Sequence, residues 1–357
     1  MDEAGGNFKK KKTADVSQLS KEDLLERIRQ LEFHVNQLKN VIAKKDGHNK
    51  TAAKTSGKQR PLDWSKQNKR HVALKIAYLG WDYKGFVVQE DTNMTIENAI
   101  FDALLRARLI ESRETSNYHR CGRTDKGVSA FCQVISIDLR SVVSTGVGVI
   151  VADANGQGDS KSELDYVAII NRILPSEIRV LAWAPVNVDF SARFDCKSRT
   201  YKYFFPRGDL NIDAMNEAAS KLVGAHDFRN LCKMDVGNGV TEFIRRIDSA
   251  EVSVEADQDG YSTCVFTIVS KAYLWHQIRC IMAILFTVGK GLEAPQILDE
   301  MFDVERYPCK PQYTMACELP LNLYDCSYDD VQWTYDKGEA VLPSHLLSMN
   351  PSYLPTV

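Results

Sequence analysis

The densest group of reactive side chains in this 357-residue chain lies in residues 121–130, with the sequence CGRTDKGVSA. One carboxylate, Asp125, stands between the cations Arg123 and Lys126, and glycines flank the group. Glycine permits a sharp turn or a close approach to a ligand, and the alternating apolar residues 131–139 predict a strand directly afterwards. Because an opposite charge lowers a carboxyl pKa, we expect Asp125 to be ionised and able to act as a nucleophile or to stabilise a positive transition state. A surface turn with a salt bridge uses the same residue types.

Residues 122–130 resemble the active-site motif of the TruA-type pseudouridine synthases, GRTD-x-GV-(H/S)-A. Three other segments match family patterns, and the resemblance spans roughly residues 70–327. They are RTYKY at 199–203, YLWHQIR at 273–279 and FSARF at 190–194. The resemblance implies an isomerase that breaks the N-glycosidic bond of a uridine, turns the base and rejoins it through carbon 5. Such a reaction requires neither a cofactor nor a metal.

The resemblance also assigns roles to individual residues. Asp125 either traps the electron-poor ribose carbon, as in retaining glycosidases, or abstracts a neighbouring proton. Tyr201 stacks on the flipped uracil, and its hydroxyl could help to remove the carbon-5 proton. Tyr203 lies two residues further along the same predicted strand, and it could instead be a core residue. Arg123 enters the space left by the flipped base or binds its phosphate, Lys126 contacts a phosphate, and Arg193 lines the cleft.

Arg279 stands in an otherwise apolar helix, where an unpaired cation is unfavourable. We expect it to pair with Asp125, with a purely structural salt bridge elsewhere as the alternative. Its neighbours Ile278, Ile281, Met282, Ile284 and Leu285 are all apolar.

The order of the elements predicts an α+β fold. Strands are expected at 72–78, 131–139, 178–184, 199–205, 244–254 and 261–269, and helices at 95–109, 163–174, 212–223 and 275–289. The resemblance implies two ferredoxin-like lobes, 71–187 and 188–330, whose mixed or antiparallel sheets join around a central cleft. Residues 141–161 are expected to be a mobile insertion, and residues 331–357 a tail.

The N-terminal part differs in composition from the rest. Residues 1–75 hold 18 Lys and Arg against 9 Asp and Glu, whereas the remainder holds 27 against 38, so the body is acidic. Residues 1–18 read as a basic disordered tail and 44–70 as a linker; the tail is either solvated or an arm that contacts phosphates. Between them, 19–43 predict a short coiled-coil helix with leucines at d and β-branched residues at a. It either self-associates or docks on the protein body.

Nine cysteines without a Cys-x-x-Cys pair, and no apolar run of ~18 residues, favour a soluble intracellular protein without a zinc site. Lys9 to Lys12 form a weak nuclear-import patch, so we expect a location in the nucleus, the cytoplasm or both.

Within the family, the likeness is greatest to the eukaryotic members that act on uridine 38 or 39 in the anticodon stem-loop of tRNA. It rests on YLGW at 78–81, TSNYHR at 115–120, PQYTMA at 311–316 and Ser129 in place of a histidine. We therefore expect tRNA as a partner, a homodimer and no membrane or small-molecule cofactor. The alternatives are a non-catalytic tRNA-binding or folding protein, a pseudouridine synthase acting at another RNA site, and a coiled-coil scaffold.

Overall fold

The computed structural model describes residues 62–152, 162–234, 239–258 and 261–335, and all of its elements belong to the unit Asp63–Val357. The predicted basic tail and coiled-coil helix lie outside the described residues. No helix within the described ranges is long and apolar enough to cross a bilayer. All nine cysteines fall in these ranges, and each is a free thiol.

In the part of the chain that the structure describes, eleven strands form one mixed sheet. They are β1 (Asn68–Tyr78), β2 (His119–Arg120), β3 (Ser129–Ser141), β4 (Val149–Ile150), β5 (Ile178–Pro185), β6 (Ser198–Pro206), β7 (Gly224–Asp227), β8 (Ile244–Gln258), β9 (Tyr261–Ser270), β10 (Leu321–Ser327) and β11 (Thr334–Tyr335). The strand order is β11-β5-β1-β3-β10-β6-β9-β8-β7, with β2 paired to β3 and β4 paired to β1.

Strand β10 joins the two halves of the sheet. It runs parallel to β3, with Leu323 opposite Ala130, and antiparallel to β6, with Leu323 opposite Tyr201. The other strand pairs described are antiparallel. Since neighbouring strands lie ~4.8 Å apart, the strand that follows the Asp125 loop and the strand that carries Tyr201 are about 10 Å apart at this level.

The described residues form five α-helices beside the sheet: α1 (Ile96–Arg106), α2 (Tyr166–Asn171), α3 (Ile212–Ser220), α4 (Gln277–Gly289) and α5 (Ile297–Phe302). Thr95, Asp165 and Asn211 cap the first three, because each side chain accepts a hydrogen bond from a backbone N–H of the first turn. Helix α4 is mostly apolar and mostly buried, and it packs against α3. Its burial contributes most of its stability, since its first turn lacks a side-chain cap.

The predicted strands and the four predicted helices are present, with shorter helices than expected. The prediction of a mixed α and β architecture is therefore confirmed. Helix α4 begins at Gln277 rather than at Trp275, because His276 has a left-handed backbone (φ 58°). Strand β10 and helix α5 were not predicted from the sequence.

Three segments expected to lie outside the core contribute to the sheet. Strand β1 begins at Asn68, inside the predicted linker, and β11 in the predicted tail pairs with β5. Within the predicted insertion, Val149–Ile150 pairs with β1, and the Gly148 carbonyl accepts a 2.7 Å hydrogen bond from the N–H of His71. These backbone hydrogen bonds fix residues whose polar, glycine-rich composition resembles that of a loop, while residues 153–161 lie outside the described ranges.

Candidate active site

The loop that carries Asp125 connects β2 to β3 and is held by the segment after β1. The Phe86 N–H donates to the Thr124 carbonyl at 3.1 Å, and the Gly127 N–H donates to the Tyr83 carbonyl at 3.3 Å. The buried hydroxyl groups of Tyr78 and Thr124 lie 2.7 Å apart. Asp125 therefore projects from a loop whose backbone is hydrogen-bonded on both of its sides.

Gly80 and Ser129 fix the end of this loop where β3 begins. The Gly80 N–H donates to the Ser129 hydroxyl at 3.0 Å, and a Cβ on Gly80 would lie only 2.0 Å from the Val128 carbonyl oxygen. Any side chain at residue 80 would therefore separate the two segments. A serine at residue 129 provides a small, fully buried acceptor at this contact.

A buried carboxylate supports the other end of the loop. Glu97 of α1 is fully buried and pairs with Arg113 at 2.8 Å and with Arg120 at 2.9 Å. Its third partner is the N–H of Val88, which donates to the carboxylate at 2.9 Å. Because Arg120 directly precedes the loop, this network fixes the entry of the chain into it, and removing one partner would leave an uncompensated buried charge.

Asp125 itself is mostly buried, with 31 % of its side chain exposed. Burial raises its pKa from 3.8 to about 6, although the charge of Arg279 and a hydrogen bond from Trp275 lower it, and nearby Glu318 raises it further. The expectation that neighbouring cations hold this pKa low is therefore wrong: desolvation outweighs them. The carboxylate remains mainly ionised at neutral pH and is more basic than an exposed aspartate.

His276 lies directly beside Asp125, with 3.5 Å between its Nε2 atom and Asp125 Oδ2. Burial and the charges of Arg279, Lys233 and Lys310 lower its pKa to about 4. The imidazole is therefore neutral near pH 7, and it lies in contact with Asp125 without forming an ion pair. Its Nδ1 atom is buried without a partner among the described residues.

His276 has a left-handed backbone conformation, which sets the direction of its imidazole. The φ of 58° at His276 lies in the left-handed region, which non-glycine residues adopt at a cost of roughly 1 kcal/mol or more. This conformation ends the preceding extended segment and turns the chain into α4. The imidazole also packs on the indole of Trp275, with ring centroids 4.7 Å apart.

Arg279 does not form the ion pair that the sequence suggested. Its Nη2 atom lies 2.8 Å from Glu318 Oε2, and its Nε donates to the Ala316 carbonyl at 2.8 Å. The Ala316 N–H in turn donates to the Arg279 carbonyl at 3.2 Å. The alternative, a salt bridge with another residue, thus describes its direct contact, while its charge still lowers the pKa of Asp125.

Glu318 also lies over the Asp125 loop. A Cβ on Gly127, whose φ is +79°, would lie 2.8 Å from the Cγ atom of Glu318. Only glycine combines this backbone with room for the glutamate above it. Asp125, Arg279, Glu318 and His276 therefore form one group of charged and polar side chains, contributed by the loop, by the start of α4 and by the segment before β10.

Tyr201 of β6 lies beside the beginning of the Asp125 loop. Its ring packs edge-to-face on Tyr273, with centroids 5.2 Å apart, and 9 % of the residue is exposed. A Cβ on Gly122 would lie 3.9 Å from the Tyr201 hydroxyl, so the ring borders the Asp125 loop. Burial raises its pKa well above the ordinary value. The phenol therefore stays protonated near neutral pH, which makes it a hydrogen-bond donor and a poor base.

Tyr203 lies two residues further along β6. It is 2 % exposed, and its ring packs edge-to-face on Phe286 of α4. The interpretation of Tyr203 as a core residue is consistent with this position.

Arg199 links three segments around the site. Its guanidinium donates to the carbonyl of Cys121 at 2.8 Å, to that of Arg193 at 3.2 Å, and to that of Lys271. It thereby fixes the beginning of the Asp125 loop relative to the loop before β6 and the end of β9. Three carbonyl acceptors suit the planar fork of an arginine and not the single ammonium of a lysine.

The remaining predicted site residues, Arg123, Lys126 and Arg193, are exposed. Arg123 and Lys126 lie on the Asp125 loop, and Arg193 lies on the loop before β6 that Arg199 links to it by hydrogen bonds. In the part of the chain that the structure describes, no three His, Cys, Asp or Glu side chains are arranged to hold a metal ion.

His276, Glu318 and Arg199 had no predicted role. His276 lies three residues before Arg279, one helical turn away, and this spacing is the signal that could have identified it. Glu318 is distant in sequence from every other member of the group, so no local pattern indicates it.

Comparison with known proteins places the chain in a family. The family model for tRNA pseudouridine synthase matches residues 218–329. The tRNA pseudouridine(38/39) synthase of Homo sapiens is 51% identical over 337 residues, which cover 90% of this chain and 69% of the relative. The protein of that name from Saccharomyces cerevisiae is 39% identical over 93% of this chain and 76% of its own length. The tRNA pseudouridine synthase A of Methanothrix thermoacetophila is 32% identical over 74% and 86% of the two chains.

The identities hold over most of both sequences, and the chain covers more than two thirds of each of these relatives. The resemblance that the motifs indicated is therefore confirmed over the length of the folded unit. The protein belongs to the tRNA pseudouridine synthase family and is an RNA-modifying isomerase.

Proposed function

We propose that this protein converts uridine to pseudouridine at position 38 or 39 in the anticodon stem-loop of tRNA, with Asp125 as the catalytic residue. The observation that carries the proposal is the half-buried Asp125 carboxylate, raised in pKa to about 6, on a loop fixed by surrounding hydrogen bonds. Relatives named for positions 38 and 39 align with 90% of the chain, which supports the choice of substrate.

The reaction breaks the bond between uracil N1 and ribose C1′ and forms one between C5 and C1′. The proton on C5 is lost and N1 gains one, so atoms balance without an oxidant or reductant. Asp125 begins the reaction either by attack on C1′ or by removal of the C2′ proton. Deuterium at C2′ distinguishes these routes, because a primary isotope effect accompanies proton removal only.

Around Asp125, the other predicted residues take complementary roles. The Tyr201 ring packs against the flipped uracil and donates its hydroxyl proton to a hydrogen bond. Arg279 supplies positive charge beside the carboxylate while Glu318 holds its guanidinium in place. The exposed cations Arg123, Lys126 and Arg193 bind phosphates, and Arg123 enters the space that the uridine leaves.

In the architecture that we propose, the sheet comprises two ferredoxin-like lobes, 71–187 and 188–330, that meet at β10 around a central cleft. The parallel pairing of β10 with β3 and its antiparallel pairing with β6 support this division.

Residues 19–43 form a coiled-coil helix that contributes to a homodimer, as their β-branched and leucine positions favour. The basic residues 9–12 direct part of the protein to the nucleus, and the remainder acts in the cytoplasm.

The direct test incubates the purified protein with unmodified tRNA and maps pseudouridine by selective chemical labelling. Wild-type protein should modify U38 or U39, and replacing both by cytidine should abolish the signal. Asp125→Asn should bind the tRNA yet form no product. Asp209→Asn, at an exposed position outside the site, is the matched control and should behave as wild type.

Turnover by Asp125→Asn would refute the catalytic assignment. If the wild-type protein forms no pseudouridine and both variants refold tRNA equally well, the protein is a non-catalytic binding or folding factor. Product at another uridine would identify a different RNA site.

A further inference from the structure

Phe194 is unusually exposed for a large apolar residue. It is 70 % accessible, and among the described residues only Leu292, at 71 %, is comparably exposed within its class. A single exposed apolar side chain on a mobile loop needs no explanation. Phe194, however, belongs to a loop whose backbone is hydrogen-bonded to several other segments of the protein.

The loop at 190–196 is held by hydrogen bonds both within itself and to the sheet. Its internal bonds join the Ser191 N–H to the Asp195 carboxylate at 2.7 Å and the Asp195 N–H to the Ser191 carbonyl at 3.0 Å. Ala192 donates to the Ser136 hydroxyl at 3.1 Å and accepts from the Tyr328 hydroxyl at 2.6 Å. The backbone before and after Phe194 is thus fixed, which holds this residue at one place on the surface.

This place is next to the Asp125 loop. One Nη2 atom of Arg199 donates both to the carbonyl of Arg193, beside Phe194, and to the carbonyl of Cys121, where the Asp125 loop begins. The two acceptors are therefore within about 6 Å of each other. A nucleic acid bound over the Asp125 loop would reach the ring of Phe194.

The charges around the ring favour a nucleic acid over an apolar partner. The guanidinium carbon of Arg193 lies 5.2 Å from the Phe194 ring centroid, and Arg123 and Lys126 are exposed on the adjoining loop. An aromatic ring beside a cation can bind an unpaired base through the face of the ring and a neighbouring phosphate through charge. A protein partner that buried Phe194 would also have to desolvate these cations.

We propose that Phe194 is a stacking platform for a second, non-reacting base of the substrate RNA, with Arg193 binding the adjacent phosphate. This site is separate from the uracil position at Tyr201. The inference rests on the proposed function, because it takes the bound RNA to be the substrate of Asp125. Phe194 would determine how tightly a flipped or loop nucleotide is held and not how fast the glycosidic bond breaks.

Steady-state kinetics with unmodified tRNA test this role. Phe194→Ala and Phe194→Leu should raise KM about tenfold and leave kcat unchanged, whereas Phe194→Trp should retain the wild-type KM. Leu292→Ala is the matched control, because Leu292 is equally exposed but follows the far end of α4, ~20 Å from His276. All four variants should melt at the wild-type temperature, since the altered side chains are exposed.

A second experiment identifies the base. Removing one base at a time from the RNA, by abasic substitution, should weaken binding to the wild type at the stacked position and have no further effect on Phe194→Ala. Binding is measured in the Asp125→Asn background, so that the result does not depend on turnover. A failure to form pseudouridine would refute the proposed function alone, because this binding cycle would still report on Phe194.

Equal KM and equal RNA affinity for Phe194→Ala and the wild type would overturn the inference. If this variant instead sediments as a smaller species than the wild type, with RNA affinity unchanged, Phe194 contacts a second copy of the chain and the stacking role is wrong.

Discussion

The Nη2 atom of Arg279 lies 2.8 Å from Oε2 of Glu318, so Glu318 rather than Asp125 is the ion-pair partner of this guanidinium. Two carboxylates thus share the field of one cation in a partly buried site. Glu318 takes the direct contact, and Asp125 retains a pKa of about 6. Because proton affinity accompanies nucleophilicity and basicity, the arrangement keeps Asp125 reactive while it remains ionised at neutral pH.

The acid limb of the pH–rate profile should lie near pH 6. In the proposed reaction Asp125 must be ionised to act, and burial raises its pKa to about 6. We expect kcat/KM to be level above pH 7 and to fall about tenfold per unit well below pH 6. Measurement of kcat/KM from pH 4.5 to 8.5, with RNA affinity determined at each pH, checks this. A limb near pH 4 would mean that the carboxyl is not desolvated in the free enzyme.

Glu318→Gln should move this acid limb to a lower pH. The substitution removes a negative charge that raises the pKa of Asp125 and releases the Arg279 guanidinium toward it. At pH 5, where roughly one tenth of wild-type Asp125 is ionised, the variant should retain a larger share of its pH 8 activity. Glu318→Asp, which keeps the charge, is the control. An unchanged limb would show that Glu318 has only a structural role.

Asp125→Asn should stabilise the protein at neutral pH. The folded-state pKa, about 6, exceeds the ordinary value of 3.8, so the folded state binds more protons between these values. The ionised carboxylate is therefore unfavourable to folding above pH 6, and the penalty disappears as pH falls toward 4. After allowance for partial exposure, we expect a gain on the order of 1–2 kcal/mol at pH 7.5.

Denaturant unfolding of the wild type and Asp125→Asn at pH 7.5 and pH 4 measures this gain. The exposed Asp209→Asn should change stability little at either pH. A gain that is equal at the two pH values would contradict the desolvation argument.

His276→Asn should slow catalysis without unfolding the protein. Asparagine tolerates the left-handed φ of 58° but is too short to reach Asp125 across the present 3.5 Å contact. Loss of the imidazole that lies against the Asp125 carboxylate should lower kcat about tenfold. His276→Val is the contrasting variant, because a β-branched residue cannot adopt this backbone, and its melting temperature should fall. Wild-type kcat in His276→Asn would exclude a role in positioning Asp125.

Much of the local structure follows from sequence patterns alone. Alternation identified the long strands, and apolar spacing identified the helices, of which α1 and α3 are capped by Thr95 and Asn211 in the structure. Glycines 122 and 127 around Asp125 indicated a loop in which a charged residue could approach a ligand. These signals depend on neighbours within a few residues, where spacing along the chain determines spacing in space.

The features that only the tertiary structure decided are contacts between residues far apart in sequence. Strand β10 has no clear pattern, yet it joins β3 to β6 and sets the separation of Asp125 and Tyr201. The partner of Arg279 and the pKa of Asp125 could not be predicted without the positions of Glu318, His276 and Trp275. Desolvation and Coulomb energy depend on distance in space and not on distance along the chain. The sequence by itself predicted Asp125, Tyr201 and Arg279 as the groups for the chemistry, and the packing determined the partner of Arg279 and the pKa of Asp125.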